Sequence, residues 1–415
     1  MASDADDELA AVAALIAAGD DQGAFAKLRV RIAWPRGKAV TDLAAWIGVL
    51  AELAERRGAS QLADLAREIV RDPDSPDRLY DLGYALIDAN VPGVAATVLW
   101  RCMQLVGDSE QVVCELVSAL ETALAHRDAF ALLEEREALR AQSFMCEYLY
   151  AFNAAMSGRL DVTRAALARL RRGTSTDQVA MTAAIAAITE RADRIAGISA
   201  LDGDDLRGWH YVLTGGLLVH RSPYGWPEPM HGRYAWLQDS LALIATGIDR
   251  LGPLARAANA PCVYAPPGRD HEIVARAVAL RLGLELMPWP SIGVPAPGIV
   301  ALYDLAALPP DLGKLIGRRD GQIVYAHAVP WTRDCPIAPD VTTLLYQALE
   351  PAWDDVRDSA DIAAAIAASP GLAADDLAAD DAAGWTALVA RVWPPDLGPR
   401  ARAWAGGPVR SNRFE

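Results

Sequence analysis

Cysteine, histidine and positive charge are all scarce in this chain of 415 residues. The five cysteines, Cys102, Cys114, Cys146, Cys262 and Cys335, are odd in number and widely spaced, with no C-x-x-C pair. That spacing argues against a disulfide framework and predicts reduced, mostly buried thiols. Lysine and arginine number 39 against 54 acidic residues, a formal net charge of −15. Binding along a phosphate backbone needs a basic face, so nucleic acid is not an expected partner. No apolar run approaches the roughly 18 residues of a membrane span, and the acidic opening Met1–Asp7 lacks the basic region of a secretory signal. The expectation is a cytoplasmic protein that does not engage membranes. G-x-S-x-G, H-E-x-x-H, G-x-G-x-x-G and G-x-x-x-x-G-K-[ST] are absent, so no metal and no cofactor is expected.

What the chain does have is apolar bulk and one chemically dense segment. Hydrophobic residues make up 52% and charged residues 22%, which fits two or three ordered domains. The 28 residues Trp209–Trp236 hold three of the six histidines and three of the twelve tryptophans. Within it Pro223, Gly225, Pro227 and Pro229 oppose regular structure, while Tyr224, Trp226, Tyr234 and Trp236 supply rigid apolar faces. His231 and Arg233 add polar donors. Such a loop suits either a ligand contact over a scaffold or a seal at a domain seam.

Before this segment the pattern is helical and recurrent. Gly58, Asn90, His126 and Gly158 break it at intervals of 32, 36 and 32 residues, and Ala63, Ala95, Ala131 and Thr163 follow five residues later. A turn, a close helix approach and a period near 34 predict stacked helical hairpins, an all-α solenoid. The unit 79–107 carries Leu82-Gly83, Leu86, Asn90, Ala95, Leu99 and Cys102 at small and apolar positions. Residues 40–200 thereby resemble a tetratricopeptide-like array, with Gly19 a candidate mark of one more unit. The resemblance implies a surface that receives a protein or peptide; packing on the second domain and a homodimer are the other options.

After Trp209, short apolar runs alternate with helical ones, the grammar of an α/β domain with a mostly parallel sheet. Strands are expected at Tyr211–Val219, Pro261–Ala265, Leu284–Met287, Gly298–Tyr303 and Gln322–Ala328. Helices are expected at Trp236–Ala258, at His271–Leu282 with Asp270 as N-cap, and around Asp311–Arg318. Two covering helices are expected over 340–368, with Leu345 and Trp353 on apolar faces. The domain limits are read as 1–205, 206–370 and an acidic, Pro/Gly-containing tail, 371–415, packing through Trp385 and Trp393.

The stretch Ala265-Pro-Pro-Gly-Arg-Asp-His, running through the helix to Leu286, resembles the strand–loop–helix–strand of type I phosphoribosyltransferases. The next strand, Ile299–Asp304, falls where that family carries its diphosphate-ribose loop. That loop needs paired acidic residues and a Thr/Gly-rich cradle, whereas here Asp304 precedes Leu305-Ala-Ala-Leu-Pro. The resemblance covers about 70 residues and implies a degenerate relative.

In parallel sheets ligands bind beyond the carboxyl ends of the strands. This rule selects His220, Arg221, Pro267 to His271, Asp304 and His327 to Trp331. His220, His271 and Asp304 are the catalytic candidates, since a histidine or carboxylate can carry a proton near neutral pH. Arg221, Tyr224, Trp226, His231, Arg233, Arg269 and Asp270 are the ligand-binding candidates, with a small anionic ligand at the helix start. Two readings follow. One is an interaction scaffold, an array fused to a ligand- or partner-binding α/β domain. The other is an enzyme acting on a phosphorylated or nucleotide-like small molecule.

Overall fold

The structure, a computed structural model, describes residues 4–224, 230–354, 356–373, 382–395 and 398–409. The chain divides into two compact units, one of residues 1–154 with 165–179, the other of 155–164 with 180–415. The dividing line thus differs from the one expected at 205/206, and the C-terminal segment belongs to the second unit.

The first unit is helical throughout. Its opening hairpin is Asp4–Ala17 and Asp21–Ile32, followed by Leu43–Arg56 with Ser60–Arg71, Pro76–Asp88 with Pro92–Val106, and Glu110–Thr122 with His126–Glu134. Hairpins start at Leu43, Pro76, Glu110 and Phe144, every 33 or 34 residues. Local chemistry sets the starts. Asp20 and Asp42 accept from the backbone N–H groups of Gly23 and Ala45 (2.8 and 3.1 Å), and Pro76 and Pro92 occupy first-turn positions where no N–H is needed. The turns are left-handed at Gly58, Asn90, Leu124 and Gly158 (φ 76°, 57°, 59° and 80°). Five residues after each lies Ala63, Ala95, Ala129 or Thr163, all fully buried. The third break is therefore Leu124 and not His126, and exposed Ala131 is not its small residue. His126 instead begins a helix and shares a buried hydrogen bond with Asn153 (Nδ1···Oδ1 2.9 Å). Leu82, Leu86 and Leu99 are fully buried between helices, each contributing about 1.5–3 kcal/mol.

The second unit holds one seven-stranded sheet, parallel at every pairing. Its strands are β1 (Leu217–Leu218), β2 (Tyr234–Gln238), β3 (Cys262–Tyr264), β4 (Glu285–Met287), β5 (Gly298–Asp304), β6 (Gln322–Pro330) and β7 (Val341–Glu350). The order is β1-β7-β6-β5-β3-β4, and β2 continues the β1 edge of β7, Tyr234 pairing with Tyr346. Helices Leu241–Ala257, Arg269–Leu282 and Ser359–Ala368 pack on one another, the first two also on the strands. β5 and β6 are apolar along nearly their whole length and buried, as a sheet covered on both faces requires.

Several expected elements change type. Of the strand expected at Tyr211–Val219 only Leu217–Leu218, β1, is one: Leu206–Thr214 is a helix, capped by Asp205 on Gly208 N–H (2.8 Å) and ended by left-handed Gly215 (φ 77°). Every residue of that helix is buried, so no amphipathic period marks it. Trp236 begins no helix but sits in β2; Ser240 caps the following helix through Leu243 N–H (3.1 Å). Val341–Glu350 forms β7 in the sheet, and one helix, Ser359–Ala368, follows it within residues 340–368. The helix after β3 starts at Arg269 with Gly268 as N-cap, so Asp270 lies inside its first turn. The helix expected at Asp311–Arg318 is a short Pro310–Leu315. In the C-terminal segment Ala382–Val392 is helical, Trp393 donates to the Leu254 carbonyl (3.1 Å), and Trp385 lies beneath Arg207. All five cysteines are free thiols, and no described helix is long and apolar enough to cross a membrane.

Candidate functional site

The order of the sheet reverses between β3 and β5, because the chain passes from β3 outward to β4 and then returns to the other side of β3. The crevice beyond their carboxyl ends is the expected ligand position. There the structure assembles a compact group of ionisable side chains. Tyr303 on β5 stacks on His327 of β6, ring centroids 5.8 Å apart and 8° from parallel. Asp239, the residue after β2, brings Oδ2 to 3.1 Å from His327 Nε2, and its Oδ1 accepts from Ser240 N–H at 2.7 Å. Both side chains of that pair are fully buried. Burial, with the Asp239 carboxylate beside it, pushes the Tyr303 hydroxyl well above its ordinary range.

Around this group the candidates from the sequence have structural bonds. His271 accepts from Tyr303 N–H at Nδ1 (3.2 Å) and reaches the Ala307 carbonyl, while burial lowers its pKa and keeps it neutral. Asp304 accepts from Ala306 N–H (2.9 Å) and caps a short turn. Asp270 accepts from Trp353 Nε1–H (2.8 Å), and Arg269 donates to the carbonyls of Asp354 and Arg357 (2.9 and 2.7 Å). Trp353 itself lies 4.8 Å from the Tyr303 ring. The loop after β7 thus fills the crevice with the chain's own tryptophan. Asp270, His271 and Asp304 come together at this edge; Arg221 does not. It lines a cavity of about 360 Å³ with Asp202, Asp205 and Arg207.

The aromatic segment is divided among other places. His220 is buried and hydrogen-bonds Tyr234 (Nε2···Oη 3.0 Å). Tyr224 is exposed, and Trp226 lies outside the described residues. His231 pairs with Asp204 (Nδ1–Oδ1 2.7 Å). Arg233 is 4% exposed. Asp239, Tyr303, Trp353 and His210 match no strand-end or motif rule in the sequence. Asp239 carried one usable signal, its place directly before the N-cap Ser240.

Burial, with the Arg233 charge nearby, pushes the His210 imidazole down to about 4. The unfolded chain takes up this proton near pH 6.5 and the folded chain refuses it down to about 4, so stability falls as pH falls through that window. His210→Gln is expected to flatten the pH dependence of the unfolding free energy there by up to about 1.4 kcal/mol per pH unit. Urea unfolding at several pH values reads this, and equal slopes in parent and variant would contradict it. Among the described residues no group of three or more His, Cys, Asp or Glu side chains is placed to hold a metal ion.

The helical unit presents a different kind of site. Between helices Ser60–Arg71 and Pro76–Asp88 runs a groove of about 920 Å³. Leu62, Leu65 and Tyr80 form its half-buried floor, and Tyr84 stands 50% exposed beside Asp81 and Asp88. Tyr80, Tyr84 and Asp88 follow at four-residue spacing on one helix face. Burial and the neighbouring Asp88 carboxylate raise the pKa of Glu115. Compared with protein-family models and with curated proteins, the chain matches none.

Proposed function

We propose that this chain is an interaction protein whose tetratricopeptide-like array receives a peptide segment presenting apolar side chains next to lysine or arginine. The observation that carries the reading is the groove at Leu62, Leu65, Tyr80 and Tyr84, an apolar floor flanked by the carboxylates of Asp81 and Asp88. Neither acid has a cation partner among the described residues, which leaves their charge for an incoming one. A net charge of −15 steers basic partners toward the chain in addition. The α/β unit serves binding and support in this reading. A transferase acting on a phosphorylated or nucleotide-like molecule has less support, because Trp353 fills the crevice and His271, Asp304 and Arg269 are held by backbone groups.

The test uses the full chain and two fluorescein-labelled helical peptides, one of lysine and leucine, one of glutamate and leucine. Anisotropy is expected to show saturable binding of the first only. Tyr84→Ala, which leaves net charge unchanged, is expected to weaken it by about tenfold, the effect of losing a central aromatic anchor. Asp81→Lys with Asp88→Lys is expected to abolish it. Equal affinity in the parent and Tyr84→Ala would refute the groove as the binding site.

A further inference from the structure

Arg233 enters the interior of the α/β unit with no counter-charge among the described residues. It follows His231 and Gly232, both with positive φ (43° and 90°), and is 4% exposed. Its guanidinium lies 5.6 Å from the centre of the Trp331 ring. Nη1 approaches the Val409 carbonyl at 3.5 Å, the outer limit of a hydrogen bond, and Nε has no hydrogen-bond partner among the described residues. No described carboxylate pairs with it. The other deeply buried arginines are served differently: Arg207 donates to the carbonyls of Leu218 and Val219 (2.9 and 3.1 Å), and Arg318 and Arg400 share Asp340. A guanidinium withdrawn from water without a partner is strongly unfavourable, so this position is suited to a negative charge that comes from elsewhere.

A cavity of about 40 Å³ adjoins it, lined by Arg233, His210, Trp209, Trp331, Trp404 and Val409. One water needs roughly 10–15 Å³, so there is space for a few heavy atoms, a carboxylate on a short apolar body. His210 is 8% exposed, and its Nε2 also has no hydrogen-bond partner among the described residues. Held neutral by burial, its imidazole offers one N–H donor.

We infer that this cavity receives the carboxylate group of a small organic anion. The planar guanidinium fork and a single imidazole N–H match the two oxygens of a carboxylate. A phosphate group brings three oxygens and a second charge, for which the described lining offers no further cation. The indole walls accept the apolar body that a carboxylate carries. This site is independent of the peptide groove, and either can fail without the other.

Acetate and propionate, titrated into the full chain at constant ionic strength, are the probes. They are expected to change tryptophan fluorescence saturably and to raise the thermal midpoint. Acetamide, of the same shape without the charge, is expected to do neither. Arg233→Met is expected to bind acetate roughly 30-fold or more weakly. If that variant does not fold, His210→Gln, expected to lose affinity several-fold, decides together with the acetate–acetamide comparison in the parent. Equal responses to acetate and acetamide, or acetate affinity unchanged in the variant that folds, overturn the site. Tighter binding of inorganic phosphate than of acetate overturns the carboxylate assignment.

Discussion

Asp340→Ala is expected to destabilise the α/β unit by about 3–5 kcal/mol, a large share of the stability of an ordinary domain. Asp340 is fully buried directly before β7. Its Oδ1 lies 3.2 Å from Arg318 Nε and its Oδ2 2.6 Å from Arg400 Nη1, and Oδ2 also accepts from Val324 N–H (2.8 Å). Its backbone joins β6 and β1, donating to the Val324 carbonyl (2.8 Å) and accepting from Leu217 N–H (2.9 Å). Both arginine side chains are nearly inaccessible, at 8% and 2% exposure. Removing the carboxylate leaves two guanidinium groups buried together with no anion between them. Replacing all three residues by apolar ones of similar volume, Asp340→Leu with Arg318→Met and Arg400→Met, is expected to recover much of the loss, because no unpaired charge then remains. Denaturant titration followed by tryptophan fluorescence measures both. A loss below about 1 kcal/mol for Asp340→Ala would show that the triad is not a structural anchor.

In the helical unit the largest expected effect belongs to Gly83→Val, a loss of about 3 kcal/mol. Gly83 lies inside the helix Pro76–Asp88, where glycine is unfavourable by about 1 kcal/mol relative to alanine, so its presence needs a packing reason. A Cβ added there would stand 2.5 Å from Leu99 Cγ and 2.7 Å from Cδ2. The branch point of a buried leucine cannot give way as a flexible chain end can. The hairpin partner Pro92–Val106 would have to move out, and with it fully buried Val94, Ala95 and Val98. Leu99→Ala in the same chain is expected to return part of the stability, with a coupling of about 1–3 kcal/mol between the two sites. Additive losses in that cycle would contradict close packing at this pair.

Much of the architecture was legible in the sequence, for identifiable reasons. β3, β4, β5 and β6 are short apolar runs between turn residues, and each was placed to within about two residues. The hairpin recurrence is visible because Gly58, Asn90 and Gly158 supply left-handed turns by residue type; the third turn uses Leu124, which carries no such mark, so the spacing alone points to His126. β7 was hidden because Leu344, Leu345, Ala348 and Leu349 also satisfy a helical spacing. The β-branched start Val341-Thr-Thr pointed to a strand but was outweighed. The candidate site was legible only where it follows strand ends. His271 and Asp304 meet there, but Asp239 depended on β2, and Trp353 reaches Tyr303 from a loop whose course no local pattern fixes. Arg221 and Arg233 belong to one sequence segment yet line two separate cavities.

The two units differ in what they leave open. At the sheet's carboxyl edge, side chains able to carry protons are buried against one another and covered by Trp353. On the array, an aromatic ring and two carboxylates stand at the surface over an apolar floor. Under the proposed function, recognition takes place on the array and not at the sheet edge. Amide hydrogen exchange of the full chain, with and without the lysine–leucine peptide, tests it most directly. Slowed exchange is expected at residues 60–65 and 80–88 alone, with the carboxyl edge of the sheet unchanged. Protection at Asp239, Tyr303 and His327 instead, or none anywhere at saturating peptide, would contradict it.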